Sequence, residues 1–187
     1  MILPKSENDI NGLLHRNKYK YTISASSVQT EGDVTKYIEN LVDYSLGTSK
    51  WWCSNNVPFQ YFEIDFEDNP VLITNYTFYV GDWGASNSYP KSWDVTGFFQ
   101  GKEFYAGNIT DSGINGPLST HVYSTDLYGP FSKIRFTLRE TYISRRTFCL
   151  CKFDLFGDYV RNIKYKSICP SLFINLKLSC VQLIIMS

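Results

Sequence analysis

The chain has 187 residues, of which 43% are hydrophobic and 17% aromatic, and its 18 basic and 18 acidic residues give a formal net charge of zero. A chain of this length and apolar content can build one sizeable core, so we expect one domain with tails. The charge balance shows neither the basic footprint of a nucleic-acid binder nor a polybasic patch for membranes. We therefore expect no nucleic-acid partner, and a membrane surface is not favoured.

The beginning of the sequence and its cysteines favour an intracellular protein. The first ten residues, MILPKSENDI, contain no continuous apolar stretch and carry charges early, unlike a secretory signal. The five cysteines are odd in number, and Cys149 and Cys151 are too close for an ordinary disulfide framework. We therefore expect free thiols. Zinc is not favoured, because no CxxC pair occurs and His15 and His121 lie far from the cysteines in sequence.

Short runs of aromatic and β-branched residues, separated by Gly, Pro, Asn, Asp and Ser, predict an all-β sandwich or barrel. In Tyr61–Phe66 and Lys133–Leu138, apolar and polar residues alternate, which indicates strands with one buried face. The predicted strands are, in chain order, Lys20–Ala25, Tyr61–Phe66, Leu72–Val80, Trp93–Phe99, Lys102–Ile109, Lys133–Leu138 and Phe148–Phe156.

Long polar connections separate several of these strands, notably Ser26–Lys36, Gly81–Ser92 and Asp111–Gly129. Loops of this length in a compact domain are often functional. We therefore expect binding residues in the loops.

The composition changes after Gly157. Tyr159–Ser187 has four basic residues and no acidic one. Its apolar part, Leu172–Met186, is shorter than the ~20 residues of a membrane-spanning helix and is interrupted by Asn175 and Lys177. We expect a tail rather than a transmembrane helix, with an added strand, a weak membrane anchor and a poorly ordered end as open alternatives.

Five segments in order carry a family resemblance: Ile23–Ser27 (ISASS), Ile38–Ser54 (IENLVDYSLGTSKWWCS), Tyr61–Phe66 (YFEIDF), Tyr89–Gly97 (YPKSWDVTG) and Phe153–Gly157 (FDLFG). Through their order and spacing the chain resembles the discoidin family, the coagulation factor V/VIII type C domains. The resemblance implies an antiparallel, galactose-binding-like jelly roll over residues 19–158, with a leader over 1–18 and a tail over 159–187.

Most residues that carry the resemblance belong in a core. The expected aromatic filling between two sheets consists of Trp51 or Trp52, Phe66, Trp93 and Phe153. Gly97 and Gly157 suit strand ends or bulges. These residues predict the fold and say little about a ligand.

The resemblance also places the binding loops. In the family, ligands meet loops at one end of the barrel, which here correspond to Ser26–Lys36, Tyr44–Lys50, Gly81–Lys91 and Arg139–Arg146. The third loop holds Trp83, Asn87 and Tyr89 among small residues, which suits a platform for a sugar or a side chain. The fourth presents donors for hydroxyls or carboxylates, namely Arg139, Tyr142 and Arg145. As structural alternatives, Trp83 caps the barrel and the arginines are solvated surface charge.

A structural calcium ion is a further, less favoured expectation. Asp43, Thr48 and Asp154 fall near positions where some carbohydrate-binding relatives hold calcium with hard oxygen ligands. The alternative is that they are ordinary turn residues. No other metal or cofactor is expected.

A binding module is favoured over an enzyme, because the sequence has no nucleophile elbow, phosphate loop or HExxH motif. No cysteine lies just before Ile23 or after Gly157, where extracellular members of the family often form a disulfide. We therefore expect an intracellular protein-interaction domain. The alternative is a lectin-like adhesion module, extracellular or at the cell surface, that binds carbohydrate or a membrane surface and uses Trp83 and Tyr89.

Overall fold

The structure of the chain is a computed structural model, which describes residues 12–16, 20–31, 34–46, 50–67, 69–82, 89–114, 116–126, 129–143 and 145–160. Within these ranges it has twelve β-strands: β1 (Thr22–Ala25), β2 (Thr30–Glu31), β3 (Val34–Thr35), β4 (Trp52–Cys53), β5 (Tyr61–Asp65), β6 (Val71–Tyr79), β7 (Pro90–Phe99), β8 (Lys102–Ile109), β9 (Thr120–Ser124), β10 (Lys133–Thr141), β11 (Cys149–Leu150) and β12 (Lys152–Tyr159). Two short 3₁₀ helices, Ile38–Leu41 and Tyr44–Leu46, lie between β3 and β4. None of the helical segments described is long and apolar enough to cross a membrane.

Two antiparallel sheets form the sandwich. The larger sheet has the strand order β1-β5-β10-β7-β8, and the smaller one has the order β12-β6-β9. Two short ladders, β4 with β11 and β2 with β3, accompany them. Because the chain passes from one sheet to the other after β5, β6, β8, β9 and β10, the predicted antiparallel jelly roll is confirmed.

Aromatic rings fill the space between the sheets. The ring of Phe62 lies 5.0 Å from those of Phe136 and Phe153, and Trp52 lies 5.7 Å away. Each such ring buries on the order of 150–250 Å², so this cluster supplies much of the driving force for folding. All the expected core positions are confirmed as buried, namely Trp52, Phe66, Trp93 and Phe153.

The two glycines of the family resemblance differ in role. Gly157 lies at the expected bulge, where β12 shifts register against β6 and a Cβ would meet the Leu72 carbonyl oxygen at 1.8 Å. Gly97 lies inside β7, where a Cβ would meet the Phe131 ring at 2.2 Å. The expectation of a strand end or bulge is therefore wrong for Gly97, because a close-packed ring requires the glycine there.

All seven predicted strands are present; Lys102–Ile109 coincides with β8, and the other six have shifted limits. β7 begins at Pro90 rather than Trp93, and the last predicted strand is divided into β11 and β12 around Cys151. The prediction missed β9, which lies within the connection Asp111–Gly129. Its residues, THVYS, are mostly polar, and it is a strand because it pairs with β6.

The structure moves the N-terminal limit of the domain. Residues 12–16 were assigned to a leader, yet Leu13 and Leu14 are buried and belong to the core cluster. The Leu13 amide donates to the Leu155 carbonyl oxygen over 2.6 Å, beside β12. The domain therefore includes at least residues 12–16, whereas the predicted tail lies outside the described residues from position 161 onward.

The cysteines correct the expectation of free thiols. Cys53 and Cys149 form a disulfide, with Cα atoms 4.2 Å apart. The spacing of Cys149 and Cys151 along the chain was the wrong guide, because the partner comes from β4, whose Cys53 lies directly opposite Cys149 in β11. Cys151 is buried and does not belong to this disulfide, and burial raises the pKa of its thiol to about 11.

Candidate ligand-binding loop face

One end of the sandwich gathers five connections, whose described residues are 26–29, 54–60, 80–82 with 89, 110–114 with 116–119, and 142–143 with 145–148. The strand registers show this. The N-terminal end of β5 lies beside the C-terminal part of β10, and Thr141, the last residue of β10, pairs with Pro90, the first residue of β7. We call this end the loop face. Described residues of three of the four predicted binding loops contribute to it. In the remaining loop, Tyr44 lies beside β12, where its hydroxyl donates to the Phe153 carbonyl oxygen.

A tyrosine joins two of these connections. The Tyr142 hydroxyl donates to Asp111 Oδ1 and accepts from the Gly113 amide over 3.1 Å. The Gly113 amide also donates to Asp111 Oδ1 over 3.3 Å. Hydrogen bonds from Tyr142 and Gly113 lower the pKa of Asp111, so this exposed carboxylate is ionised at neutral pH.

A buried serine fixes the same loops from below. The Ser112 hydroxyl donates to the Pro90 carbonyl oxygen over 2.7 Å and accepts from the Ile114 amide over 3.1 Å. The Tyr142 amide donates to the Tyr89 carbonyl oxygen over 3.2 Å. The connections before β7, after β8 and after β10 therefore form one hydrogen-bonded unit.

The disulfide closes the other side of the loop face. Cys53 directly precedes the connection that begins at Ser54, and Cys149 directly follows the connection that ends at Phe148. Asn56 Oδ1 accepts from the Arg146 amide over 2.8 Å, and Ser54 Oγ accepts from the Phe148 amide over 2.9 Å. Loops held in this way lose little conformational entropy when they bind a ligand.

Apolar and charged side chains are exposed around this unit. Tyr142 and Ile143 are each 39% exposed, and Phe59 is 62% exposed at the rim. The Arg139 guanidinium lies 5.2 Å from the Phe59 ring and forms an ion pair with Asp94. The loop face thus combines rings, a carboxylate and cationic donors.

The predicted site residues fall into different settings. Tyr142 and Arg145 lie on the loop face, whereas Arg139 lies at its border, on the outer face of the larger sheet. Tyr89 is only 3% exposed, so its ring packs in the core and does not form the expected platform. Trp83 and Asn87 lie outside the described residues.

Two of the three candidate calcium ligands, Asp43 and Asp154, accept hydrogen bonds from backbone amides. Asp154 is fully buried and accepts from the amides of Gly12 and Leu14 over 2.7 and 3.0 Å. Asp43 Oδ1 accepts from the Ser45 amide over 3.1 Å. Thr48 lies outside the described residues, and in the described ranges no three His, Cys, Asp or Glu side chains are grouped to hold a metal ion. Calcium binding stays a prediction.

A lysine brings a positive charge to the same neighbourhood. Lys152 is 5% exposed, and its Nζ donates to the Asn40 carbonyl oxygen over 2.8 Å. Burial lowers the pKa of this ammonium group, against the opposing effects of Cys151 and Asp43. This buried ammonium group therefore interacts electrostatically with Asp43, one of the two carboxylates of the calcium hypothesis.

Comparison with known proteins identifies the fold. The sequence matches no protein-family model and no curated protein. Among solved structures, the chain is similar to the F5/8 type C domain of a protein from Bacteroides fragilis, with a TM-score of 0.59 and 14% identity over 75% of this chain and 93% of that one. The chain has the discoidin, or galactose-binding-like, fold.

Two further similar structures contain sugars. The family 32 carbohydrate-binding module of NanJ from Clostridium perfringens, in complex with galactose, has a TM-score of 0.55 and 12% identity over 72% of this chain and 92% of that one. The lectin domain of lectinolysin, complexed with Lewis B antigen, has a TM-score of 0.59 and 13% identity over 75% of this chain and 94% of that one. These two similarities support the same discoidin fold. At 12% and 13% identity they show the fold and not the ligand of this chain.

Three features of this discoidin-like loop face were missed in the sequence. Asp111 and Gly113 lie in the connection Asp111–Gly129, where binding residues are expected, but neither is among the predicted site residues, and Phe59 lies in none of the predicted binding loops. The Asn-Asn and Ser-Gly pairs in these connections are turn signals that mark both as candidate loops. The contact between Asp111 and Tyr142 spans 31 positions, and no local pattern reveals it.

Proposed function

We propose that this chain is a non-catalytic carbohydrate-binding module that binds a glycan at the loop face. The observation that carries this proposal is the Tyr142 unit, in which a half-exposed ring is fixed beside an ionised carboxylate. A sugar offers an apolar face and several hydroxyls, so it matches a ring flanked by acceptors and donors. Similar folds occur in structures with galactose and Lewis B antigen, which supports the same class of ligand here.

Each group at the loop face has a role in this proposal. The Tyr142 ring stacks on the apolar face of a sugar, and Asp111 accepts hydrogen bonds from its hydroxyls. Arg145, exposed in the same connection, donates to hydroxyls or to an acidic group of the glycan. The disulfide and the Ser112 hydrogen bonds keep these groups in place, which lowers the entropic cost of binding.

The disulfide also supports a location outside the reducing cytosol. Disulfides persist in oxidising compartments and are rare in cytosolic proteins. The expectation of an intracellular protein-interaction domain rested partly on free cysteines, and the Cys53–Cys149 bond removes that support. We therefore favour an extracellular or cell-surface module over an intracellular adaptor.

A glycan array with the full chain tests the proposed function. We expect the wild type to bind a defined group of glycans and Tyr142→Ala to bind about fivefold more weakly, because a stacked ring contributes on the order of 1 kcal/mol. Tyr105→Ala is the matched control, since Tyr105 is 58% exposed but lies in β8, on the outer face of the larger sheet.

Two results would contradict the proposal. One is a wild-type chain that is folded by circular dichroism and binds nothing on a broad array. The other is an equal loss of binding in the Tyr142 and Tyr105 variants, since this would move the site away from the loop face. Binding of a protein partner by a chain that ignores glycans would instead support an interaction domain.

A further inference from the structure

Two tripeptides in the chain fit the acceptor motif for N-linked glycans, Asn-X-Ser/Thr with X not proline: Asn75-Tyr76-Thr77 and Asn108-Ile109-Thr110. The motif alone is weak evidence, because it occurs by chance in many chains. The structure separates the two copies by their positions in the sheets.

Asn108 has the setting that a glycan requires. It is exposed near the end of β8, an edge strand of the larger sheet, which among the described strands pairs only with β7. Its Cα lies opposite that of Asp94, and Thr110, which completes the motif, is exposed in the connection that follows. A glycan on this residue extends into solvent without disturbing a strand pairing.

Asn75 is the internal control. It lies in β6, the middle strand of the smaller sheet, opposite Phe156 on one side and Ser124 on the other. Asn75 is half-buried, and Thr77 is 2% exposed. A large glycan at this position would have to lie between two paired neighbours, so the folded domain disfavours it.

The disulfide supplies an independent second observation. The compartment that oxidises cysteines in eukaryotic secretory proteins is also the one in which N-linked glycans are attached. A chain that forms the Cys53–Cys149 bond there meets the transferring enzyme as well. We propose that Asn108 is an N-glycosylation site of this protein and that Asn75 is not.

The reaction is a group transfer with a lipid-pyrophosphate-linked oligosaccharide as the donor. The Asn108 side-chain nitrogen attacks the anomeric carbon of the first sugar, and a C–N bond forms there. The bond from that carbon to the pyrophosphate oxygen breaks, and the lipid pyrophosphate leaves with the electron pair. The amide proton passes to a base of the transferring enzyme, and nothing is oxidised or reduced.

The proposed glycan lies on a different surface from the proposed ligand site. Asp94, opposite Asn108, forms the ion pair with Arg139 on the outer face of the larger sheet. Asn108 lies in β8, three residues before Asp111, so the glycan is attached beside the loop face and not on it. The inference does not depend on glycan binding by the loop face, but it shares the proposed location outside the reducing cytosol.

The test uses the full chain, expressed in eukaryotic cells behind a cleavable secretion signal. We expect a peptide N-glycosidase to lower the mass of the wild type and of Asn75→Gln, and to leave aspartate at position 108. Asn108→Gln and Thr110→Ala should show no such shift, whereas Thr110→Ser, which keeps the motif, should behave as the wild type.

Two outcomes overturn the inference. The first is secreted wild-type protein that carries no N-linked glycan. The second is a glycan that persists in Asn108→Gln and disappears in Asn75→Gln. If Asn108→Gln is not secreted, Thr110→Ala and Thr110→Ser decide the question, because they change the motif without changing the acceptor. The proposed function is tested separately, by measuring the binding of enzymatically deglycosylated protein to a glycan array.

Discussion

Two aspartates accept hydrogen bonds from backbone amides, one where the N-terminal segment meets β12 and one on the loop face. Asp154 is fully buried and binds the amides of Gly12 and Leu14, whereas Asp111 is exposed and binds the Gly113 amide and the Tyr142 hydroxyl. Burial raises the pKa of Asp154 to about 7, and hydrogen bonds lower the pKa of Asp111. The two aspartates thus have similar hydrogen bonds but opposite pKa shifts, because only Asp154 is desolvated by burial.

The difference separates residues that hold the domain together from residues that remain available. Asp154 joins the start of the domain to its last strand, and a Cβ on Gly12 would lie 2.4 Å from its carboxylate oxygen. Asp111 orders a loop and keeps its charge at the surface. Replacing the residues at both sites should therefore affect stability in one case and ligand binding in the other.

The largest expected effect comes from removing the buried acceptor. Asp154→Leu should lower the free energy of unfolding by about 4 kcal/mol, because two buried amides lose their partner at about 1–3 kcal/mol each. Urea denaturation measures this change, and Asp111→Leu should leave the melting temperature nearly unchanged. If Asp154→Leu is as stable as the wild type, the carboxylate does not hold the N-terminal segment.

The next effect concerns the disulfide at the base of the loop face. The double variant Cys53→Ser/Cys149→Ser should lose about 3 kcal/mol of unfolding free energy, because the bond closes a long loop in the unfolded chain. Cys151→Ala is the control for a buried cysteine outside the bond, and it should lose less. When the wild-type protein is unfolded without a reductant, a thiol-labelling reagent should not react with Cys53 and Cys149. Labelling of both residues would contradict the pairing.

The strands and the aromatic core can be predicted from the sequence better than the contacts that hold the loop face and the N-terminal segment. β5 and β10 were predictable because one buried face produces strict alternation, and the aromatic core residues follow from their size. The disulfide and the Asp111–Tyr142 contact depend on which strands become neighbours, and no local pattern contains that information. Asp154 is a less favoured calcium candidate in the sequence because it falls near a position where some carbohydrate-binding relatives hold calcium, whereas the backbone amides that bind it become evident only in the fold.

A smaller effect tests the raised pKa of Asp154 by comparison with Asp154→Asn. The folded pKa of about 7 lies above the unfolded value of 3.8, so the unfolded chain loses this proton first as the pH rises. The free energy of unfolding of the wild type should therefore fall relative to that of the variant, by about 2 kcal/mol between pH 5 and pH 6.5. Urea denaturation of both proteins across this range gives the difference, and an unchanged difference across the range would show that the folded carboxyl is already ionised at pH 5.

The smallest expected effect on stability comes from the hydroxyl of the loop-face tyrosine. Tyr142→Phe keeps the ring but removes the donor to Asp111 and the acceptor of the Gly113 amide. Because water replaces both partners at this exposed site, the melting temperature should fall by less than about 3 °C. Glycan binding should weaken by about threefold, less than in Tyr142→Ala, because the ring can still stack on a sugar while the loop loses part of its order. A loss equal to that of Tyr142→Ala would show that the hydroxyl, rather than the ring, is the group that contacts the ligand.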